Sequence, residues 1–232
     1  FAPLFLFPFF SFQHDLHISA VDWDPVSNRI VTCSHDRNGF VWTYDDAEQR
    51  WRPSLVILRI DKAAMDVRWS PDGNKFAVAS SAKTIPVCHY MADQDWWVSK
   101  MIKKHKSTVT SVAWHPNSQV LATGSTDFKC KVWSARIEEC DDSPDAGVFG
   151  ASRPFSEVYY EFSSQGWIHD VAWSPNGNVL AFVGHDSSAH FVTFGGSDPV
   201  QQSIRFSDMP LQTIAFISDS ALVGGGHDNN PF

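Results

Sequence analysis

Cysteine is scarce in this 232-residue chain and poorly placed for chemistry. Cys33, Cys88, Cys130 and Cys140 form no CxxC pair and follow no secretory signal, which argues against a disulfide framework or a thiolate metal centre and for reduced thiols. Positive charge is short as well: 18 Lys and Arg against 26 Asp and Glu leave a formal charge of -8, so the basic footprint that non-specific nucleic-acid binding needs is missing. No apolar run is long enough to span a bilayer. The apolar opening, Phe1 to Gln13, is short, carries two prolines and has no basic flank. A phosphate-binding glycine loop, a Gly-x-Ser-x-Gly elbow and a Cys/His nucleophile arrangement are all absent. These gaps exclude nucleic acid and a membrane span as partners and leave catalysis, a cofactor or a metal without candidate residues.

What the chain does have is a repeat. Val21-Asp-Trp23-Asp-Pro25, Val67-Arg-Trp69-Ser-Pro71, Val112-Ala-Trp114-His-Pro116 and Val171-Ala-Trp173-Ser-Pro175 recur, with a degenerate fifth copy at Ile214-Ala-Phe216. The aromatic positions lie 46, 45, 59 and 43 residues apart. A period in the low forties, with four short alternating strands per unit and Pro-Asp-Gly or Pro-Asn-Gly turns, predicts an all-β WD-repeat β-propeller. The first unit reads as strands at Ile18 to Trp23, Arg29 to Cys33, Phe40 to Thr43 and, after a polar loop from Asp45 to Arg50, an outer strand at Leu55 to Ile60. The second reads as Met65 to Trp69, Lys75 to Ala79, Ile85 to Tyr90 and Trp97 to Ile102, and no helix of useful length is called for. The interval of 59 holds the run Glu138 to Gly150, so an acidic loop insertion is expected near residues 138–152, as a solvated loop or a partner surface.

Two units carry a polar tetrad at matched spacing. His14, Thr32, Asp36 and Trp42 form the first, and His105, Thr123, Asp127 and Trp133 the second; in each, Asp lies four residues after Thr and six before Trp. Asp can accept from the imidazole, the other ring nitrogen can meet the Thr hydroxyl, and Thr can accept from the indole. Five His-Asp pairs begin at His14, His35, His169, His185 and His227, but they recur with the repeat instead of converging as metal ligands must. Residues 1–13 stand outside the repeat. Phe, Leu, Pro and Ser all have pyrimidine-only codons and Gln can be CAG, so this leader reads as a translated intron end ahead of coding sequence from His14.

The segments between the repeats are more specific than the repeats. Ser27 to Cys33, Asp36-Arg-Asn38, Leu55-Val-Ile-Leu-Arg-Ile60, Asn74 to Val78, Asp95-Trp-Trp-Val98, Ile102-Lys-Lys104, Trp114-His-Pro-Asn117, Asp127-Phe-Lys-Cys130, Gly166-Trp167, His185-Asp-Ser187 and Gly226-His-Asp228 resemble the WD-repeat subunit, subunit 1, of the actin-related protein 2/3 complex. Gly39 and the stretch from Ser188 to Ser203 depart from that family's pattern. The resemblance implies a non-catalytic scaffold in an assembly that nucleates branched actin filaments. Its implied partners are the other subunits, including an actin-related one, the actin filament through the assembled complex, and nucleation-promoting factors, in the cytoplasm at the actin cytoskeleton. About five blades of an expected seven are present, so both ends of the ring are expected to be missing, and the chain alone to be aggregation-prone or chaperone-bound where an extended form is soluble. Candidate partner contacts are Trp51 with Arg52, and whichever of Trp96 and Trp97 is exposed, set beside Lys100, Lys103 and Lys104. A propeller adaptor outside the actin machinery, such as a ubiquitin-ligase substrate receptor or a chromatin-associated reader, is the alternative, and it needs only generic blades.

Overall fold

A computed structural model describes residues 13–141, 143–196, 198–227 and 231. The leader expected over residues 1–13 therefore falls, apart from Gln13, outside the described residues, as does Asp228 of the last His-Asp pair. Alternating apolar residues and tight turns give four antiparallel meanders. The first is β1 (Ile18–Asp24), β2 (Arg29–Ser34), β3 (Asn38–Asp45) and β4 (Arg50–Ile57), and the second is β5 (Ala64–Trp69), β6 (Lys75–Ser80), β7 (Ile85–Met91) and β8 (Trp96–Ile102). The third is β9 (Val109–Trp114), β10 (Val120–Ser125), β11 (Lys129–Ser134) and β12 (Val158–Ser163), and the fourth is β13 (Ile168–Trp173), β14 (Val179–Gly184), β15 (Ser188–Thr193) and β16 (Val200–Arg205). A fifth sheet holds β17 (Leu211–Ser218), with the degenerate motif, and β18 (Ala221–Gly226). The first strands β1, β5, β9, β13 and β17 stand side by side, each against the next, which is the blade order of a propeller.

The outer strand of the first blade needs correction. It spans Arg50–Ile57, and the expected polar loop is a turn over residues 46–49 whose two ends join the ladder, with Asp45 opposite Arg50 and Tyr44 opposite Trp51. Charged residues are tolerated there because β4 is the sheet edge, where Pro53 opposite Trp42 forfeits no inner-ladder bond.

Packing between blades is carried by the repeated motif. Val67, Trp69, Val112, Trp114, Val171 and Trp173 are buried, whereas Val21 and Trp23 of the first blade are 58% and 57% exposed. Each of these buried tryptophans is capped by a side chain from the blade before it. Arg29 lies 4.9 Å over Trp69, Lys75 lies 5.5 Å over Trp114, and His115 meets Trp173 edge-on at 5.0 Å. The turns beside two of these caps require glycine. Gly73 has φ +71° and Gly177 φ +74°, and a Cβ on either would collide with Asp24 or with His115.

The acidic insertion is built into this packing. Ala146 and Phe149, at a single 3-10 turn (Gly147–Phe149), sit in the core cluster with Trp173 and Phe194. Asp141 reaches back across the blade boundary to Lys75, which is 0% exposed, and the Asp141 carboxylate also accepts the Ile137 N–H at 2.6 Å. A second ion pair joins Glu139 to Lys100 of β8 at 2.8 Å. The insertion is therefore a solvated loop only in part: Glu139 and Asp141 face cations of the second blade and Ala146 and Phe149 fill the third, while Ser143 to Asp145 stay exposed.

Removing one partner of the Lys75–Asp141 pair leaves a buried charge unmatched, at a cost of roughly 3–5 kcal/mol. Asp141→Ala should therefore lower the urea midpoint sharply, while Lys75→Met combined with Asp141→Leu should restore much of it. Equal midpoints for the single and double variants would contradict the pairing.

Candidate interaction surface

Three carboxylates stitch the inner strands together. Asp22 accepts the Trp69 N–H at 2.7 Å, Asp66 accepts the Val112 N–H at 3.1 Å, and Asp170 accepts the Ile214 N–H at 2.9 Å. Ser111 donates to Asp170 at 2.6 Å, and Thr110 donates to the Ile168 carbonyl at 2.6 Å. Burial pushes the Asp66 carboxyl up to about 6, against the pull of Arg68 and of the Val112 N–H. Asp22, Arg68, Trp114, Asp170 and Thr213 line an axial cavity of about 510 Å³.

The tetrad residues are brought together in both blades. Asp36 Oδ2 lies 2.8 Å from His14 Nδ1, and Thr32 Oγ1 lies 3.0 Å from both His14 Nε2 and Trp42 Nε1. In the third blade the corresponding distances are 3.0 Å for Asp127 to His105, 2.8 Å for Thr123 to His105 and 2.8 Å for Trp133 to Thr123. A carboxylate can only accept, so Nδ1–H donates to Asp; the indole N–H donates to Thr, whose hydroxyl can then donate to Nε2. Asp127 also accepts the N–H groups of Lys106 at 2.8 Å and Lys129 at 3.1 Å. Burial pushes the Asp127 carboxyl up, but the hydrogen bonds from His105 and from the Lys106 N–H outweigh it and hold it well below the usual carboxylate range. Blade two replaces the tetrad with apolar residues, Val78 and Cys88 standing buried at the Thr and Trp positions. Blade four does so only in part: Phe182 and Val192 are buried at the Thr and Trp positions, but Ser164 and Asp186 stand at the His and Asp positions and the Ser164 hydroxyl donates to Asp186 at 3.4 Å.

The candidate contacts divide. Trp97 is 5% exposed and packs against Trp69, Phe76 and Tyr90, so it is withdrawn as a contact; the exposed member of the pair is Trp96, at 46%. Strand alternation made such a split available, and the core took the residue facing Phe76. Trp96 is not beside Lys103 and Lys104 either. It opens β8 and the lysines follow its end, so an extended strand separates them by roughly 20 Å. Lys100 is engaged by Glu139, while Lys103 and Lys104 are exposed. Trp51 is half-buried edge-on to Tyr44, and the Arg52 guanidinium is held by Asp45 at 2.7 Å and by Glu48.

The blades thus have two unlike ends. Hairpins β3–β4 and β7–β8 present Asp45, Asp46, Glu48, Asp93 and Asp95 with Trp96, next to Glu138 and Glu139. The opposite end presents Arg37, Arg59, Lys62, Lys83, Lys103, Lys104 and Lys106, all exposed. Trp167, 50% exposed, stacks on His185 there, and His169 Nε2 lies 3.0 Å from His185 Nδ1. Among the described residues no group of His, Cys, Asp or Glu could hold a metal ion, and no helix is long and apolar enough to cross a membrane.

The family described as WD domain, G-beta repeat matches residues 8–43, 96–134 and 156–191. This chain is a WD-repeat β-propeller protein. The repeat description passes over residues 44–95, where the second blade lacks the tetrad. The WD-repeat chain is 49% identical over 221 residues to actin-related protein 2/3 complex subunit 1A of Arabidopsis thaliana, covering 94% of this chain and 58% of that protein. It is 47% identical over 223 residues to subunit 1A-B of Xenopus laevis, covering 94% and 60%, and 43% identical over 226 residues to subunit 1 of Schizosaccharomyces pombe, covering 94% and 59%. These homologues bear out the resemblance drawn from the segments between the repeats. The WD-repeat chain spans less than two thirds of the length of these relatives.

Sequence reasoning missed Lys75, His115 and Asp141. One signal was available: Arg29 and Lys75 each lie six residues after the motif tryptophan, a recurring cation inside an otherwise apolar strand. Asp141, in an insertion with no counterpart in the other repeats, carried none.

Two outcomes are expected. Asp127→Asn turns a group that accepts three N–H donors into one that must present its own donor, so it should cost roughly 1–3 kcal/mol in chemical denaturation; an unchanged midpoint would argue against the network. Asp66 behaves oppositely with pH, because its folded value lies above that of an unfolded Asp. Its stabilising contribution is full below about pH 4 and is lost as pH rises through about 6, on the order of 2–3 kcal/mol. Asp66→Asn should remove that slope from urea midpoints measured from pH 4 to 7, and parallel curves for the two proteins would refute it.

Proposed function

We propose that this chain is a non-catalytic scaffold subunit of an actin-related protein 2/3 complex, supporting branched actin nucleation in the cytoplasm. The observation that carries the reading is the extent of the identity. The alignment with the Arabidopsis protein covers 94% of this chain, so most of residues 44–95, which the repeat description does not match, lies inside it. Generic blades do not call for likeness there. An adaptor of another kind would share the motif strands and diverge in the hairpins.

The partners follow from the same reading: the other subunits, including an actin-related one, the actin filament through the complex, and nucleation-promoting factors. The two ends of the blades support two separate contact regions. Trp96, exposed on the second blade's outer hairpin, suits an anchoring role at one, since Trp is enriched where a few residues dominate binding. Lys103 and Lys104 suit an acidic surface at the other. The tetrads serve to hold the blades that present both.

Affinity purification of the tagged chain from cells is expected to recover actin-related proteins in fixed ratio with smaller subunits. Trp96→Ala should reduce recovery of at least one partner about five-fold, the loss of roughly 1 kcal/mol typical of an anchoring residue, with no change in melting midpoint. Recovery of cullin-ring or histone partners in place of actin-related proteins would overturn the assignment.

A further inference from the structure

Serine followed by proline occurs three times in the chain, at Ser70, Ser143 and Ser174, and the fold treats the three differently. Ser70 is 1% exposed; its hydroxyl donates to the Lys75 carbonyl at 2.8 Å and accepts the Lys75 N–H at 3.2 Å. Ser174 is 0% exposed; its hydroxyl donates to Asn176 at 2.8 Å and accepts the Val179 N–H at 3.0 Å. Both belong to the hairpin that follows the motif tryptophan, where the hydroxyl closes the turn. Ser143 lies instead in the acidic insertion.

There the main chain is held and the side chains are displayed. Gln119 grips the segment from one side, donating to the Ser143 carbonyl at 2.7 Å and accepting the Asp145 N–H at 2.8 Å. Asn117 donates to the Asp145 carbonyl at 3.0 Å. Ser143, Pro144 and Asp145 are all exposed. A hydroxyl must be reachable to accept a phosphoryl group, and only this serine-proline offers one.

We propose that Ser143 is the phosphoacceptor of a proline-directed serine/threonine kinase, and that its modification loosens the insertion from the second blade. The γ-phosphoryl group of ATP passes to Ser143 Oγ. The bond from that phosphorus to the oxygen bridging to the β-phosphate breaks, ADP leaves with the electron pair, and the hydroxyl proton passes to the kinase's base. The new group adds about 1.5 to 2 negative charges two residues from both Asp141 and Asp145. Asp141 and Glu139 anchor the insertion through Lys75 and Lys100. Added like charge competes with both carboxylates for these cations, so the clasp weakens from the side where the phosphate enters.

The test uses the whole folded chain, a purified proline-directed kinase with MgATP, and mass spectrometry of the digest. Label is expected at Ser143, at ten-fold or greater excess over Ser70 and Ser174, and Ser143→Ala should abolish it. Pro144→Ala should cut the labelling rate at least ten-fold without unfolding the chain, because the proline ring is exposed. No label at Ser143, equal label at the two buried serines, or labelling indifferent to Pro144 would each overturn the site. For the clasp, tryptic cleavage after Arg136, which Ile137 follows, should be several-fold faster in the phosphorylated protein, and an unchanged rate would overturn the loosening.

Discussion

The stacking of each inner-strand tryptophan beneath a polar side chain of the preceding blade is the interaction on which the rest of this molecule depends. Arg29 over Trp69, Lys75 over Trp114 and His115 against Trp173 place one wedge at each of three successive boundaries. The aromatic supplies buried area and the cap supplies charge or a ring edge that an aromatic face attracts. Because the cap must reach across a boundary, blade spacing and the neighbouring turn are set together. That is why Gly73 and Gly177 recur beside these contacts with left-handed backbone. The carboxylates Asp22, Asp66 and Asp170 then tie adjacent inner strands by main-chain hydrogen bonds.

Two solutions to blade cohesion alternate along the chain. The first and third blades pin their strands with the His-Thr-Trp-Asp network, the second fills the same space with apolar side chains, and the fourth pairs apolar Phe182 and Val192 with a remnant Ser164–Asp186 hydrogen bond. A network binds strongly only when every member is satisfied, and both copies meet that condition. The apolar blades ask less of geometry. They also free the surface around them: the second blade lacks the tetrad and receives both ion pairs from the acidic insertion, so the most distinctive interblade clasp sits where the repeat is weakest.

Much of the fold was legible because strand period, motif interval and turn residues all pointed the same way. The motif placed every inner strand, and the Asp-to-Trp spacing placed the tetrads. Misreadings arose where a residue's role is set by a neighbour distant in sequence. Arg50 looks like loop because it closes a charged, polar run, yet an edge strand begins there and accommodates it with Arg52. Trp96 and Trp97 are indistinguishable until the core chooses one. Lys103 and Lys104 are near Trp96 in sequence but a full strand away in space. Asp141 looks like one more solvated acid in an acidic run, and only the tertiary fold pairs it with Lys75.

The unlike charge of the two blade ends has a consequence for encounter. An excess of carboxylates at one end and of lysines and arginines at the other gives the blades an electric dipole along the strand direction. In the field of a highly charged polymer such a dipole feels a torque before any surfaces meet, so it arrives already turned to offer one end. Ionic strength sets the reach of that torque, about 8 Å at physiological salt. Within that distance orientation precedes contact, and a row of repeated blades acquires a direction of approach.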